Sequence, residues 1–245
     1  MLSTDDIKKG YRLKFDHHTH TVYSRVGPYF HGKGRIIDNV RSAAKRGLDS
    51  LAITDHGPSD FYGLSLKKIP QMRRDIALAQ VSFPKIRIYL GVEADIVDTD
   101  NGLDVTPEDF MKFDFVNAGY HYVPNCHMIH NFLAFHLPWP KRLRERLRSR
   151  NTARIVKALQ CNDIRILTHP GDKAFIDEHA VAKACEETAT LVEINARHRH
   201  PDANDLRIYN QYDVNFVISS DAHRPKHVGR YAESLALALE AGIDP

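Results

Sequence analysis

The chain has 245 residues, a length that fits one large domain or two small ones, and 42% of them are hydrophobic, enough for a real core. Its net charge is +3, from 34 basic and 31 acidic side chains, which suits an anionic substrate and does not demand nucleic acid. No apolar run nears the ~18 residues of a membrane span, no signal core opens "MLSTDDIKKG", and three scattered cysteines (Cys126, Cys161, Cys185) argue against a disulfide framework.

Short apolar runs alternate with helical patterns along the chain. "RLKFD" reads as a first strand and "IIDNVRSAAKRG" as a helix closed by a glycine. "DSLAIT" is a strand, and "LKKIPQMRRDIALAQV" predicts a helix starting after Pro70. "IRIYLGVEAD" is a strand, followed by the turn-rich excursion "DTDNGLDVT". "DFVNAG" is a strand, and "PKRLRERLRSRNTARIVKALQ" a long helix with Arg142, Arg146 and Arg150 on one face, read as a solvated barrel helix. Then follow strand "DIRILT", helix "DEHAVAKACEET", strand "TLVEIN", helix "DANDLRIYNQY", strand "NFVISS" and helix "RYAESLALALEAG". Seven strand–helix units argue for a parallel sheet covered by helices, and seven close more naturally into a barrel than into an open sheet. The chain is read as one domain over residues 1–245. Each cysteine is expected as a small apolar core residue in a reducing, cytoplasmic compartment.

Fifteen histidines is the unusual count. In "DHHTH", residues i and i+2 of an extended segment point the same way, so His18 and His20 could grip one ion while His17 turns away. A lone histidine after a strand is more often a satisfied polar residue than a ligand. Here, however, six of the seven strands end in such groups: His18 and His20, His56 in "TDHG", Glu93 in "GVEAD", His121 in "GYH", His169 in "THPGD", and Asp221 with His223 in "SSDAH". In a β/α barrel these ends share one face, where catalytic groups gather. Imidazole and carboxylate without thiolate suit zinc, manganese or iron, and the count exceeds what one ion takes. Asp16 and Asp55, beside ligands, are candidates for orienting them, and Gly57, Pro58, Pro170 and Gly171 for the turns that leave the barrel face.

In this order the motifs resemble the PHP superfamily, named for polymerase and histidinol phosphatase, and most closely its stand-alone phosphoesterases. The resemblance runs from about Phe15 to Ala241. It implies a distorted seven-stranded β/α (TIM-like) barrel with three divalent metal ions. By that resemblance the first ion takes His18, His20, Glu93 and Asp221. The second shares Glu93 and adds His121 and His169. The third takes His56, His223 and His31, the histidine of the loop "YSRVGPYFHGKGRI".

Such ions make hydroxide available near neutral pH and neutralise phosphate charge. The expected activity is hydrolysis of small phosphate monoesters by a hydroxide bridging a trinuclear site. Asp221 and His198 are candidate acids for the leaving oxygen. Lys33, Arg35 and Arg197 are candidate substrate-binding residues, since guanidinium forks match phosphate oxygens. A phosphodiesterase or exonuclease on nucleic acid is the alternative in the same chemistry. A metal amidohydrolase and a non-catalytic metal-binding module are the other two. No membrane partner is expected. The His-rich stretch at 121–140 suits a lid, a substrate wall or a dimer contact.

Overall fold

The structure, a computed structural model, describes residues 4–122, 128–138 and 140–245. Seven parallel strands form one sheet in chain order: β1 (Phe15–Asp16), β2 (Ser50–Ile53), β3 (Arg87–Asp95), β4 (Phe115–Gly119), β5 (Ile164–Leu167), β6 (Leu191–Asn195) and β7 (Phe216–Ser219). The sheet curls into a nearly closed barrel. Its seam, between β1 and β7, is joined by a single parallel bridge from Thr19 to Ala222, where the His20 amide donates to the Ala222 carbonyl at 3.0 Å.

The helices are α1 (Thr4–Gly10), α2 (Ile36–Lys45), α3 (Ile69–Ser82), α4 (Pro107–Phe110), α5 (Met128–His136), α6 (Lys141–Cys161), α7 (Glu178–Thr188), α8 (Ala203–Tyr209) and α9 (Ala232–Glu240). The helix expected after Pro70 begins one residue before it. Proline fits this first turn because its missing N–H would have no partner there. Gly47, at φ +70°, reverses the chain after α2. The first strand is shorter than "RLKFD", and α1, α4, α5 and a small hairpin pairing Arg25–Val26 with Tyr29–Phe30 carry no clear periodicity.

The core lies between strands and helices. Leu51, Ile53, Leu90 and Val92 meet Val40, Ala43, Met72 and Ala79, all buried. Each of the larger of these side chains contributes roughly 1.5–3 kcal/mol by leaving water. Cys185 belongs to this core and burial pushes its thiol up to about 12. Cys161 does not, because it ends α6 in solvent; Cys126 lies outside the described residues. The arginine-rich first half of α6 is exposed, as read from its sequence, apart from buried Leu147 and half-buried Arg148.

Asp16 closes the seam rather than orienting a histidine. Its buried carboxylate accepts from the Ser220 amide at 3.1 Å, the Ser220 hydroxyl and the Gly229 amide at 2.7 Å, tying β1 to the segment after β7. Removing it would leave those amides buried without partners. Asp16→Ala is therefore expected to cost about 2–4 kcal/mol in denaturant unfolding. A loss under about 0.5 kcal/mol would show that the seam does not depend on this carboxylate.

Candidate metal centre

At the C-terminal end of the barrel, the strand-end residues converge on Glu93. Its side chain has no exposure, and its two oxygens face two sets of imidazoles. Oε2 lies 3.1 Å from His18 Nε2, 3.4 Å from His20 Nε2 and 3.1 Å from His56 Nδ1. Oε1 lies 3.0 Å from His169 Nε2 and 3.4 Å from His121 Nε2, and accepts from the Thr168 hydroxyl at 2.8 Å. Asp221 adds a second carboxylate. Its Oδ1 lies 3.2 Å from His20 Nε2 and 3.1 Å from His223 Nδ1, and its Oδ2 lies 3.0 Å from His198 Nε2.

The backbone is shaped for this crowding. Gly119, which ends β4, has no room for a side chain: a Cβ there would stand 2.4 Å from Thr168 Oγ1 and 2.8 Å from His121 Cε1. His169 (φ 29°) and Asp221 (φ 47°) hold left-handed backbone, a costly state for residues other than glycine and one that gathers at functional sites. Asp55 shapes the loop after β1 by accepting from the amides and hydroxyls of Thr21 and Ser24. No imidazole of the cluster is among its hydrogen-bond partners.

The carboxylates that do orient imidazoles are ones the sequence reading passed over. Glu193 Oε1 takes His18 Nδ1 at 2.7 Å, and its Oε2 accepts the His169 amide at 2.8 Å. Asp95 Oδ1 takes His121 Nδ1 at 2.6 Å. An acid inside an apolar strand, as in "LVEIN", was the available signal for Glu193, and the i+2 relation to Glu93 was the signal for Asp95.

Charge balances within the cluster. Burial favours a neutral His18, but Glu93, Glu193 and Asp221 outweigh it and raise its pKa well above the ordinary value. His20 is pulled well down by burial and by His223 and His56. Burial would raise Glu93, yet His18 and His121 hold it well below the usual carboxylate range; for Asp221, His18 and His198 do the same. Burial, His223 and His56 push His31 down to about 3, so it is a neutral imidazole at physiological pH.

Whether these residues fit metal ions can be tested on their unsatisfied atoms. His20 Nδ1, His56 Nδ1, Glu93 Oε2, His169 Nδ1, Asp221 Oδ1 and His223 Nε2 are all buried without a hydrogen-bond partner. Several stand near 3 Å from one another without hydrogen-bond alignment, as His56 Nδ1 does from Glu93 Oε2. Buried polar atoms are rarely left so, and a cluster of them around two carboxylates is what cations would satisfy. Compact ligand groups include His18–His20–Asp221, His18–Glu93–His169, His56–Glu93–His121 and His20–His56–His223, with candidate atoms within 4.8 Å of one another. The donor set therefore fits divalent metal.

Of the expected site residues, His18, His20, His56, Glu93, His121, His169, Asp221 and His223 come together. His31 joins at the edge: its ring stacks on Tyr62 at 4.5 Å and meets His223 at 4.2 Å. A cavity of about 240 Å³ opens above the cluster, lined among others by Tyr62, Tyr122, Lys173, Arg197 and His198. Lys33 and Arg35 are not among its lining residues. Arg35 turns to Asp38 in the first turn of α2 and lines a different hollow, so proximity in sequence to His31 did not bring it to the site. Lys173, which pairs with Asp172, was not expected there.

The PHP domain family matches residues 16–203. A probable phosphatase of Thermoanaerobacter sp. (strain X514) is 29% identical, over 95% of this chain and 88% of its own length. A probable phosphatase of Caldanaerobacter subterraneus subsp. tengcongensis is 30% identical, over 92% and 82%. Among solved structures, histidinol phosphate phosphatase of Lactococcus lactis subsp. lactis, in complex with zinc, L-histidinol and phosphate, superposes with a TM-score of 0.66 at 18% identity, covering 96% of this chain and 95% of its own. An archaeal ribonuclease P chain shares the fold at TM-score 0.54 and 13% identity, over 93% and 89%. The chain belongs to the PHP domain family. Family, relatives and site agree on one class of protein, a hydrolase of phosphate ester bonds.

If Glu93 joins two ions, Glu93→Gln is expected to lower metal content at two subsites and to cut turnover more than His223→Ala does. Unchanged stoichiometry by elemental analysis would contradict that. Glu193→Gln, which keeps the side chain's shape but weakens the partner of His18, is expected to loosen metal about 10- to 100-fold in chelator competition.

Proposed function

We propose that the whole chain acts as one metal-dependent phosphoesterase domain that hydrolyses small phosphate monoesters at a site of three divalent ions. The observation that carries this reading is the set of buried, unsatisfied nitrogen and oxygen atoms gathered around Glu93 and Asp221. The ligand sets that fit it are His18, His20, Glu93 and Asp221 for one ion, Glu93, His121 and His169 for a second, and His31, His56 and His223 for a third. Zinc, manganese and iron all suit such donors, and zinc is present in the Lactococcus lactis enzyme. Bound ions would supply hydroxide at neutral pH and neutralise the phosphate's negative charge.

The chain's own residues would do the rest. Arg197 and Lys173 line the cavity and would hold phosphate oxygens from the mouth. Tyr62 and Tyr122 would wall the organic part and exclude water from it. Asp221 suits ligation better than acid catalysis, because burial is outweighed by His18 and His198 and the carboxyl stays ionised. His198 Nε2 is engaged with Asp221. Protonation of the leaving oxygen would then fall to solvent.

A cavity of about 240 Å³ suits a small substrate. Among the described residues no helix is long and apolar enough to cross a membrane. Polynucleotide binding would call for a long positive track with stacking platforms, and the charge of +3 gives little support for one. With one manganese- or zinc-loaded sample, kcat/KM is expected to be higher for small monoesters than for single-stranded oligonucleotides, and to change little with salt. Faster cleavage of the oligonucleotide, falling steeply as salt rises, would favour the nuclease reading.

A further inference from the structure

Two imidazoles of the cluster share one construction. His18 turns Nε2 toward the Glu93 carboxylate and gives Nδ1 to Glu193 at 2.7 Å. His121 turns Nε2 toward the same carboxylate and gives Nδ1 to Asp95 at 2.6 Å. A carboxylate on the far nitrogen fixes the ring and raises its basicity as a ligand. His198 has this construction too, although it lies on the loop after β6 and matches no ligand position of the expected three sets. Its Nδ1 stands 2.8 Å from Asp172 Oδ2, and its Nε2 stands 3.0 Å from Asp221 Oδ2. It forms a compact group with His169 and Asp221 whose candidate donor atoms lie within 4.8 Å of one another.

Asp221 completes the parallel. Glu93 divides its imidazoles between two oxygens. Asp221 does likewise: Oδ1 faces His20 and His223, while Oδ2 faces His198. His169 offers the third donor of that compact group, and its Nδ1 is buried with no hydrogen-bond partner. The geometry points to His198 as a metal ligand that closes, with His169 and Asp221, a divalent-cation subsite on the cavity side of the cluster, with Asp172 as its positioning residue. Arg197 Nη1 lies 3.4 Å from Asp221 Oδ2 and 3.3 Å from His198 Nε2. Its side chain is 42% exposed, so it is free to turn outward when a cation takes that place. The subsite borders the cavity, which leaves coordination positions open to a phosphate oxygen.

This inference rests on the metal-dependent reading, and the test separates the two. Wild-type protein is loaded with cobalt and its stoichiometry measured; a wild type that binds no metal overturns the metal-dependent reading and this inference with it. With a loaded wild type, His198→Cys is compared with His200→Cys, whose wild-type ring is paired with Asp205 outside the cluster. A thiolate on cobalt gives an intense near-ultraviolet charge-transfer band, which is expected for His198→Cys and not for His200→Cys. His198→Ala is expected to lose one equivalent, or to hold it about 10- to 100-fold more weakly, and Asp172→Asn to weaken the same equivalent. Full wild-type stoichiometry and affinity in His198→Ala, with no band in His198→Cys, would overturn the assignment and leave His198 as a hydrogen-bond partner of Asp221.

Discussion

An ionised carboxylate with no contact to water, Glu93, sets the terms for the rest of the molecule. Burying such a charge costs several kcal/mol unless opposite charge and donors surround it closely. The barrel meets that demand with five imidazoles within 3.4 Å, brought from four strand ends: β1, β2, β4 and β5. A parallel barrel suits the task because each strand delivers its last residues to the same end. Small departures from regular backbone finish it. Gly119 leaves space beside the carboxylate, and left-handed turns at His169 and Asp221 aim their side chains inward.

Charge then runs outward in layers. Glu93 and Asp221 lie innermost with the imidazoles around them. Glu193, Asp95 and Asp172 stand behind three of those rings. Arg197 and Lys173 sit at the mouth, where a phosphate would enter. Anionic groups that stay ionised, imidazoles split between raised and lowered proton affinity, and unsatisfied atoms between them describe a site whose polar balance is completed by cations. Under the proposed function, such a centre would favour a substrate with several free anionic oxygens, as a monoester dianion has.

The barrel and most of the cluster were legible in the sequence because both follow from short-range pattern. Strand–helix alternation gives the unit count, and the cluster residues sit at the strand ends where pattern places them. What was not legible depends on contacts between distant segments. Asp16 and Asp55 adjoin cluster histidines in sequence, but they serve the seam and the loop after β1, since their partners Ser220, Gly229, Thr21 and Ser24 are fixed by the closed fold. Glu193 meets His18 across 175 residues, a pairing that no local period reveals. Arg35 neighbours His31, yet the start of α2 turns it to Asp38. Cys161 sits where α6 ends in solvent, although free cysteine is among the residue types most often buried.

The central claim is that the orphaned atoms around Glu93 and Asp221 are ligands. Elemental analysis of the purified protein, before and after exhaustive chelation and reconstitution, tests it most directly. The account predicts about two to three equivalents of divalent transition metal per chain, phosphate-ester hydrolysis lost on chelation, and both restored by manganese or zinc. Less than about one equivalent, with no uptake on reconstitution, would contradict it.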